Sequence, residues 1–253
     1  MKFKKHILLF SGCLVAVGLV RFLTSPASFI PSPTLDDVPL NGPVVVELFT
    51  SQNCPYCPVA DRFLDQLATR PHVIALGCHV TYWDRDPARK DPFSTPLCTD
   101  RQHAYDSYLN GTGVFTPHMM VNGEISLVGS KPYRITQALE LSKNGLPEIA
   151  ITASSSDTFD ITLPDAVFSE KNNIHLTGVV IGTDQQGRYG PLSRPVLDIR
   201  DLTSHWNGTE KTMSLHLPNI PETAQSLVIL VQEGENANGP IRAAGELFLH
   251  SSP

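Results

Sequence analysis

Apolar residues along the chain fall into two regimes. Up to residue 146 they alternate between short continuous runs and helically spaced sets; beyond Pro147 they form only short runs. Val44-Val45-Val46-Glu47-Leu48-Phe49 is a β-branched run that predicts a strand buried on both faces. Val59, Phe63, Leu64 and Leu67 then recur at helical spacing, predicting a helix from Pro58 to Thr69 that stops before Pro71. Val73–Val80 reads as a second strand, Asp84–Pro96 as a polar, Pro-rich loop, and Leu97–Leu109 as a helix closed by Asn110-Gly111. Met119–Val121 and Ile125–Val128 flank Asn122-Gly123, a two-residue hairpin signal, and Ile135–Leu141 supplies a last helix. This order, βαβ then αββα, calls for a sheet covered by helices with an antiparallel edge.

After Pro147 the candidate strands are Ile149–Ala153, Phe159–Leu163, Ile174–Ile181, Val196–His205, Thr212–Leu217, Leu227–Val231 and Ala244–Leu249. Gly, Pro, Asn and Asp separate them, which predicts a small antiparallel sandwich or barrel. The expected architecture is an α/β domain at 43–146 followed by an all-β, sandwich-like domain at 147–253. Residues 28–42, with Pro31, Pro33 and Pro39, read as a linker.

At the N-terminus, Lys2, Lys4 and Lys5 precede an apolar run from Ile7 to Val20, the charge and length pattern of an export signal. No clean cleavage site follows, so residues 1–27 are read as a signal peptide or as an N-terminal membrane anchor. Either reading places the remainder outside the cytoplasm, periplasmic or facing the periplasm. Hydrophobic residues make up 41% of the 253 and charged residues 17%, enough for a real core. With net charge -6 and no basic cluster beyond the first five residues, nucleic acid is excluded as an expected partner.

Cys13 lies within the apolar N-terminal run, leaving Cys54, Cys57, Cys78 and Cys98 in the body of the chain. An even count permits full pairing in an oxidising compartment. Cys54-Pro55-Tyr56-Cys57 stands between a predicted strand and a predicted helix. There, Cys54 would meet free backbone N–H groups and the positive end of the helix dipole, which favour thiolate. Cys57, one turn deeper, would resolve a mixed disulfide formed at Cys54. A zinc pair completed by Cys78, Cys98, His79 or His103, and an inert disulfide, are the competing readings. Cys78 and Cys98 could themselves be joined by a structural disulfide, or Cys78 could be a small buried hydrophobe. No cofactor is expected.

The stretch from Val44 to Cys57 resembles the active-site strand and turn of the thioredoxin/glutaredoxin superfamily, with Pro-Tyr between the cysteines as in glutaredoxins. Glu47–Gln52, His79–Asp84, Asp91-Pro92-Phe93 and Arg101–Tyr105 together resemble an uncharacterised family of secreted thioredoxin-like bacterial proteins. The resemblance implies a thioredoxin-like fold. It also implies that Pro117 is the cis-proline facing the CxxC, with the Thr116 backbone presented to a partner. Glu47 then stands near the buried acid of thioredoxins, as a base for Cys57 or as a hydrogen-bonded strand-end carboxylate. Tyr56, Trp83 and His118 are the expected contacts for a substrate. The expected activity is thiol–disulfide exchange with protein or small-molecule thiols and disulfides. A non-catalytic binding module of the cell envelope and, further off, copper handling through the CxxC and His118 are the alternatives.

Overall fold

The fold is organised around β1 (Val44–Thr50), which is buried along its whole length, as its unbroken apolar run requires. The computed structural model describes residues 34–35, 38–111, 113–166, 173–202, 206 and 208–249. The expected signal or anchor at 1–27 lies outside them, as do much of the 28–42 linker and the end of the strand expected at Val196–His205.

β1 pairs in parallel with β2 (Val73–His79) and antiparallel with β3 (His118–Val121), which pairs in turn with β4 (Ile125–Val128). The sheet order is β2-β1-β3-β4. The β3–β4 turn uses Asn122 and Gly123 at φ 50° and 67°, the left-handed conformations that Asn-Gly accepts readily. Three helices, α1 (Pro58–Ala68), α2 (Pro96–Tyr108) and α3 (Pro132–Leu141), are the α-helices among the described residues. Each has proline in its first turn, where the missing N–H breaks no helical bond.

Alternation along β1 divides two cores. Val44, Val46 and Leu48 pack with Leu64 and Leu67 of α1 and with Leu139 of α3. Val45 and Phe49 face the other way, into a cluster with Tyr105 of α2.

The chain beyond residue 147 forms two further sheets. One, ordered β11-β6-β5, contains β5 (Ala150–Ala153), β6 (Thr158–Leu163) and β11 (Lys211–His216). The other, ordered β10-β7-β12-β13, contains β7 (Ile174–Gly182), β10 (Val196–Asp201), β12 (Ala224–Glu233) and β13 (Ile241–Phe248). β12 is apolar on both faces for a reason. Val228 and Leu230 join Val45 and Phe49 in one cluster, while Leu227, Ile229 and Val231 join Phe159 and Ile161 in another. The second sheet is therefore an inner layer, sandwiched between the first sheet and the outer three strands. The result is a mixed α/β protein, mostly strands, with no closed barrel among the described residues. All described residues belong to one compact unit.

Where the two halves touch, side chains are left out. Gly77 of β2 bridges Pro195, and its N–H donates to the Arg194 carbonyl at 2.8 Å. A Cβ at Gly77 would sit 2.5 Å from the Ser193 carbonyl oxygen. Gly77→Ala must therefore push one backbone away from the other, at an expected cost of about 2 kcal/mol. A lowered urea midpoint checks this; an unchanged midpoint would show that the contact yields freely.

One element has no counterpart in the apolar pattern. β8 (Gln185–Gly187) and β9 (Gly190–Leu192) form a two-stranded hairpin. Its sequence is polar, so it draws its order from docking rather than from a core of its own. Ser193 Oγ donates to Asp65 Oδ1 of α1 at 2.6 Å, and the Arg188 N–H donates to Gln52 Oε1 at 3.2 Å.

Candidate functional site

From Thr50, turns carry the chain into α1, and within them Cys54 and Cys57 are joined by a disulfide with Cα atoms 5.5 Å apart. The Cys54 N–H donates to the Ser51 carbonyl at 3.1 Å and the Cys57 N–H to the Cys54 carbonyl at 3.3 Å. The helix begins where the apolar spacing predicts it. Cys57 holds the N-cap and Pro58 takes the first helical turn. Cys54 is only 1% exposed and Cys57 fully covered. Cys54 is approached through a cleft of about 360 Å³, lined among others by Gln52, Asn53, Arg89, Arg188 and Tyr189. Tyr56, inside the motif, is 71% exposed.

The polar loop after β2 is fastened to this turn. Asn53 Nδ2 donates to Asp84 Oδ1 at 3.2 Å and to the Arg89 carbonyl at 2.8 Å. Asp91 accepts from the Gln52 N–H at 2.8 Å and lies 2.8 Å from His79 Nδ1. Burial alone would raise the Asp91 pKa; the hydrogen bond and charge of His79, with the Gln52 and Phe93 amides, hold it below the usual carboxylate range. Trp83 Nε1 donates to Thr116 Oγ1 at 2.7 Å, and the Thr116–Pro117 peptide is cis. Gly129 fits between Pro117 and Ala60 of α1, so Pro117 reaches the sheet face that carries the first turns of α1.

Two expected site residues lie elsewhere. Glu47 shares the β1 face of Val45 and Phe49, away from α1, and its carboxylate is fully engaged. Arg101 Nε and Nη2 donate to it at 2.5 and 2.9 Å, and the Tyr105 hydroxyl at 2.5 Å. A base for Cys57 is not what this geometry makes of it. His118 also faces that side, with Phe49 and Phe115 ring centroids at 5.6 and 4.6 Å and Ser126 Oγ 2.9 Å from Nε2. Burial lowers its pKa to about 4, so the ring is neutral at pH 7. It does not stand beside the cysteine pair.

Asp61 went unremarked in the sequence, although it interrupts the apolar face of α1 formed by Ala60, Leu64 and Leu67. It lies one turn beyond Cys57 and accepts from Thr50 Oγ1 at 2.7 Å. Burial raises its pKa to about 6, against the opposing effects of the Thr50 hydrogen bond and the His79 charge. Cys78 and Cys98 form a second disulfide, Cα atoms 5.3 Å apart, tying β2 to the first turn of α2. Among the described residues no cluster of three or more His, Cys, Asp or Glu could hold a metal ion, and no helix is long and apolar enough to cross a membrane.

The chain is thus a mixed α/β protein with a CxxC disulfide where a buried strand turns into a helix. It belongs to the family described as "Protein of unknown function (DUF1223)", whose model matches residues 45–232. Comparison with curated proteins finds no match. Among solved structures, the crystal structure of protein AGR_C_4864 from Agrobacterium tumefaciens is similar, with a TM-score of 0.73 and 23% identity. That match covers 85% of this chain and 97% of the other. HBP35 of Porphyromonas gingivalis matches with a TM-score of 0.56 and 17% identity, over 83% of this chain and 76% of that one. At these identities the likeness shows the fold alone.

Proposed function

We propose that the protein is an exported thiol–disulfide oxidoreductase with a thioredoxin-like domain over 43–146. The observation that carries this reading is the Cys54–Cys57 disulfide at the β1–α1 junction, on the side of the sheet reached by cis-Pro117. Cys54 is the nucleophile and Cys57 the resolving thiol. Backbone N–H groups and the dipole at the start of α1 favour the thiolate form of both. Thr116 and Pro117 present backbone to a bound partner, with Trp83 beside them, and Tyr56 offers an exposed ring at the motif itself. Asp61, buried on α1 one turn beyond Cys57, is the carboxyl to which we assign the Cys57 proton, in place of Glu47 on the opposite face of β1. The partners are thiols and disulfides of proteins or small molecules, and the Cys78–Cys98 bridge is structural.

A redox titration combined with a disulfide-exchange assay on wild type and Cys54→Ser tests the reading. Wild type should show a reversible two-electron couple and exchange activity, and the variant neither. Equal activity in both would reject the proposal. The near-complete burial of Cys54 favours one other reading, a non-catalytic binding module. A pair that stays oxidised at strongly reducing potentials would select it.

A further inference from the structure

Two arginines from distant parts of the chain line the cleft that leads to Cys54. Arg89 belongs to the loop after β2, and its carbonyl is fixed by Asn53 Nδ2. Arg188 stands at the tip of the β8–β9 hairpin, which the C-terminal half extends onto α1. Its backbone is held by Gln52 and its guanidinium lies 5.8 Å from the Tyr189 ring centroid, a contact that orients the charge without neutralising it. A third arginine, Arg62 of α1, packs under the hairpin at Gly190.

No carboxylate lines the cleft itself. Asp86 lies 3.6 Å from Arg89, both in solvent, where such pairs are weak. Asp84 and Asp65 keep their charge but stand outside the cleft lining, their oxygens bonded to Asn53, Ser94 and the Asp91 N–H and to Ser193. Asp61 is buried beneath α1 with Thr50. A chain with net charge -6 thus sets two arginines, and no carboxylate, on the lining of the cleft at its CxxC. Such a cleft attracts anions and raises their local concentration.

We propose that the cleft selects small disulfides bearing carboxylates near the sulfur–sulfur bond, with the β8–β9 hairpin as the specificity arm. The inference rests on the exchange activity proposed above. In the reduced protein, the Cys54 thiolate attacks one substrate sulfur, forms a mixed disulfide and expels the first substrate thiolate. Cys57, its proton gone, attacks Cys54 Sγ, closes the Cys54–Cys57 bond and expels the second. Two electrons pass from the dithiol to the substrate, which leaves as two thiols. Arg89 and Arg188 bind the carboxylates, and the 360 Å³ cleft sets the size of the molecule.

The experiment mixes reduced protein with dithiodiglycolate, bis(2-hydroxyethyl) disulfide or cystamine, which are anionic, neutral and cationic. Formation of the Cys54–Cys57 bond is followed by acid quench, alkylation and mass spectrometry. Each rate is divided by that of dithiothreitol with the same disulfide, which removes intrinsic reactivity. The expected order is anionic, neutral, cationic, with about a 10-fold span that collapses at high salt. Arg188→Glu and Arg89→Glu should each reverse the order, and Lys211→Glu on the outermost sheet should leave it unchanged. Exchange with all three compounds at equal normalised rates, or an order that survives both arginine variants, would overturn the selectivity while leaving the oxidoreductase standing. No exchange with any of them would remove both.

Discussion

Arg101→Met is expected to lower stability by about 3–5 kcal/mol in urea denaturation, the cost of stranding a buried charge. Glu47 is 1% exposed, and three of the donors around it come from α2: two from Arg101 and one from Tyr105. Arg101 Nη2 also donates to Gln232 Oε1 at 3.1 Å, and Gln232 Nε2 to the Tyr105 hydroxyl at 2.8 Å, so the network crosses into β12. Burial works against the arginine's charge, but Glu47 and Tyr105 outweigh it and hold its pKa above the ordinary value. Removing the guanidinium leaves the carboxylate with the Tyr105 hydroxyl alone. Replacing both charges, as in Glu47→Leu with Arg101→Met, should recover more than half the loss, because the desolvation cost disappears with the pair. A double variant whose loss equals the sum of the two single losses would show that the pair is not energetically coupled. In neither case should the midpoint potential of Cys54–Cys57 shift, which separates this network from a base acting on Cys57.

The difference between Glu47 and Asp61 shows what the linear pattern carried and what it did not. β1, α1 and the β3–β4 hairpin fall where their apolar spacing and turn residues place them, because each signal is local. α3 begins at Pro132, ahead of its first apolar anchor Ile135, since proline at a first turn extends a helix without demanding a buried side chain. Which face of β1 bears Glu47 depends on which helix covers that face, and sequence spacing alone does not decide it. Arg101 and Tyr105, four apart on α2, are the matching partners, but their meeting with residue 47 is a property of the assembled sheet. The pairing of Cys78 with Cys98 was open for the same reason, as it depends on how the chain returns after β2. Gln185–Leu192 carried no apolar alternation, and its order comes from Asp65 and Gln52 in the other half of the chain. Asp61, unlike these, was locally legible, as an acid set into the apolar face of a helix.

Asp61→Asn should therefore stabilise the protein, and only above a particular pH. The folded-state pKa of Asp61 is about 6 against an ordinary 3.8, with burial as the main cause. Between those values the folded protein holds a proton that the unfolded chain has released. The favourable contribution of the neutral carboxyl is complete below pH 3.8 and is lost as pH rises through 6. Above that, the ionised carboxylate costs about 3 kcal/mol, from roughly two pKa units at about 1.4 kcal/mol each. Asparagine keeps an oxygen to accept from Thr50 Oγ1 and never ionises. Urea denaturation should show it about 3 kcal/mol more stable than wild type at pH 8 and within about 0.5 kcal/mol at pH 4, where wild-type Asp61 is itself neutral. A gain independent of pH would mean that packing, not ionisation, separates the two. If Asp61 receives the Cys57 proton, the variant should also lose the inflection near pH 6 in the rate of the resolving step. An unchanged profile beside the predicted stability gain would confine Asp61 to a structural part.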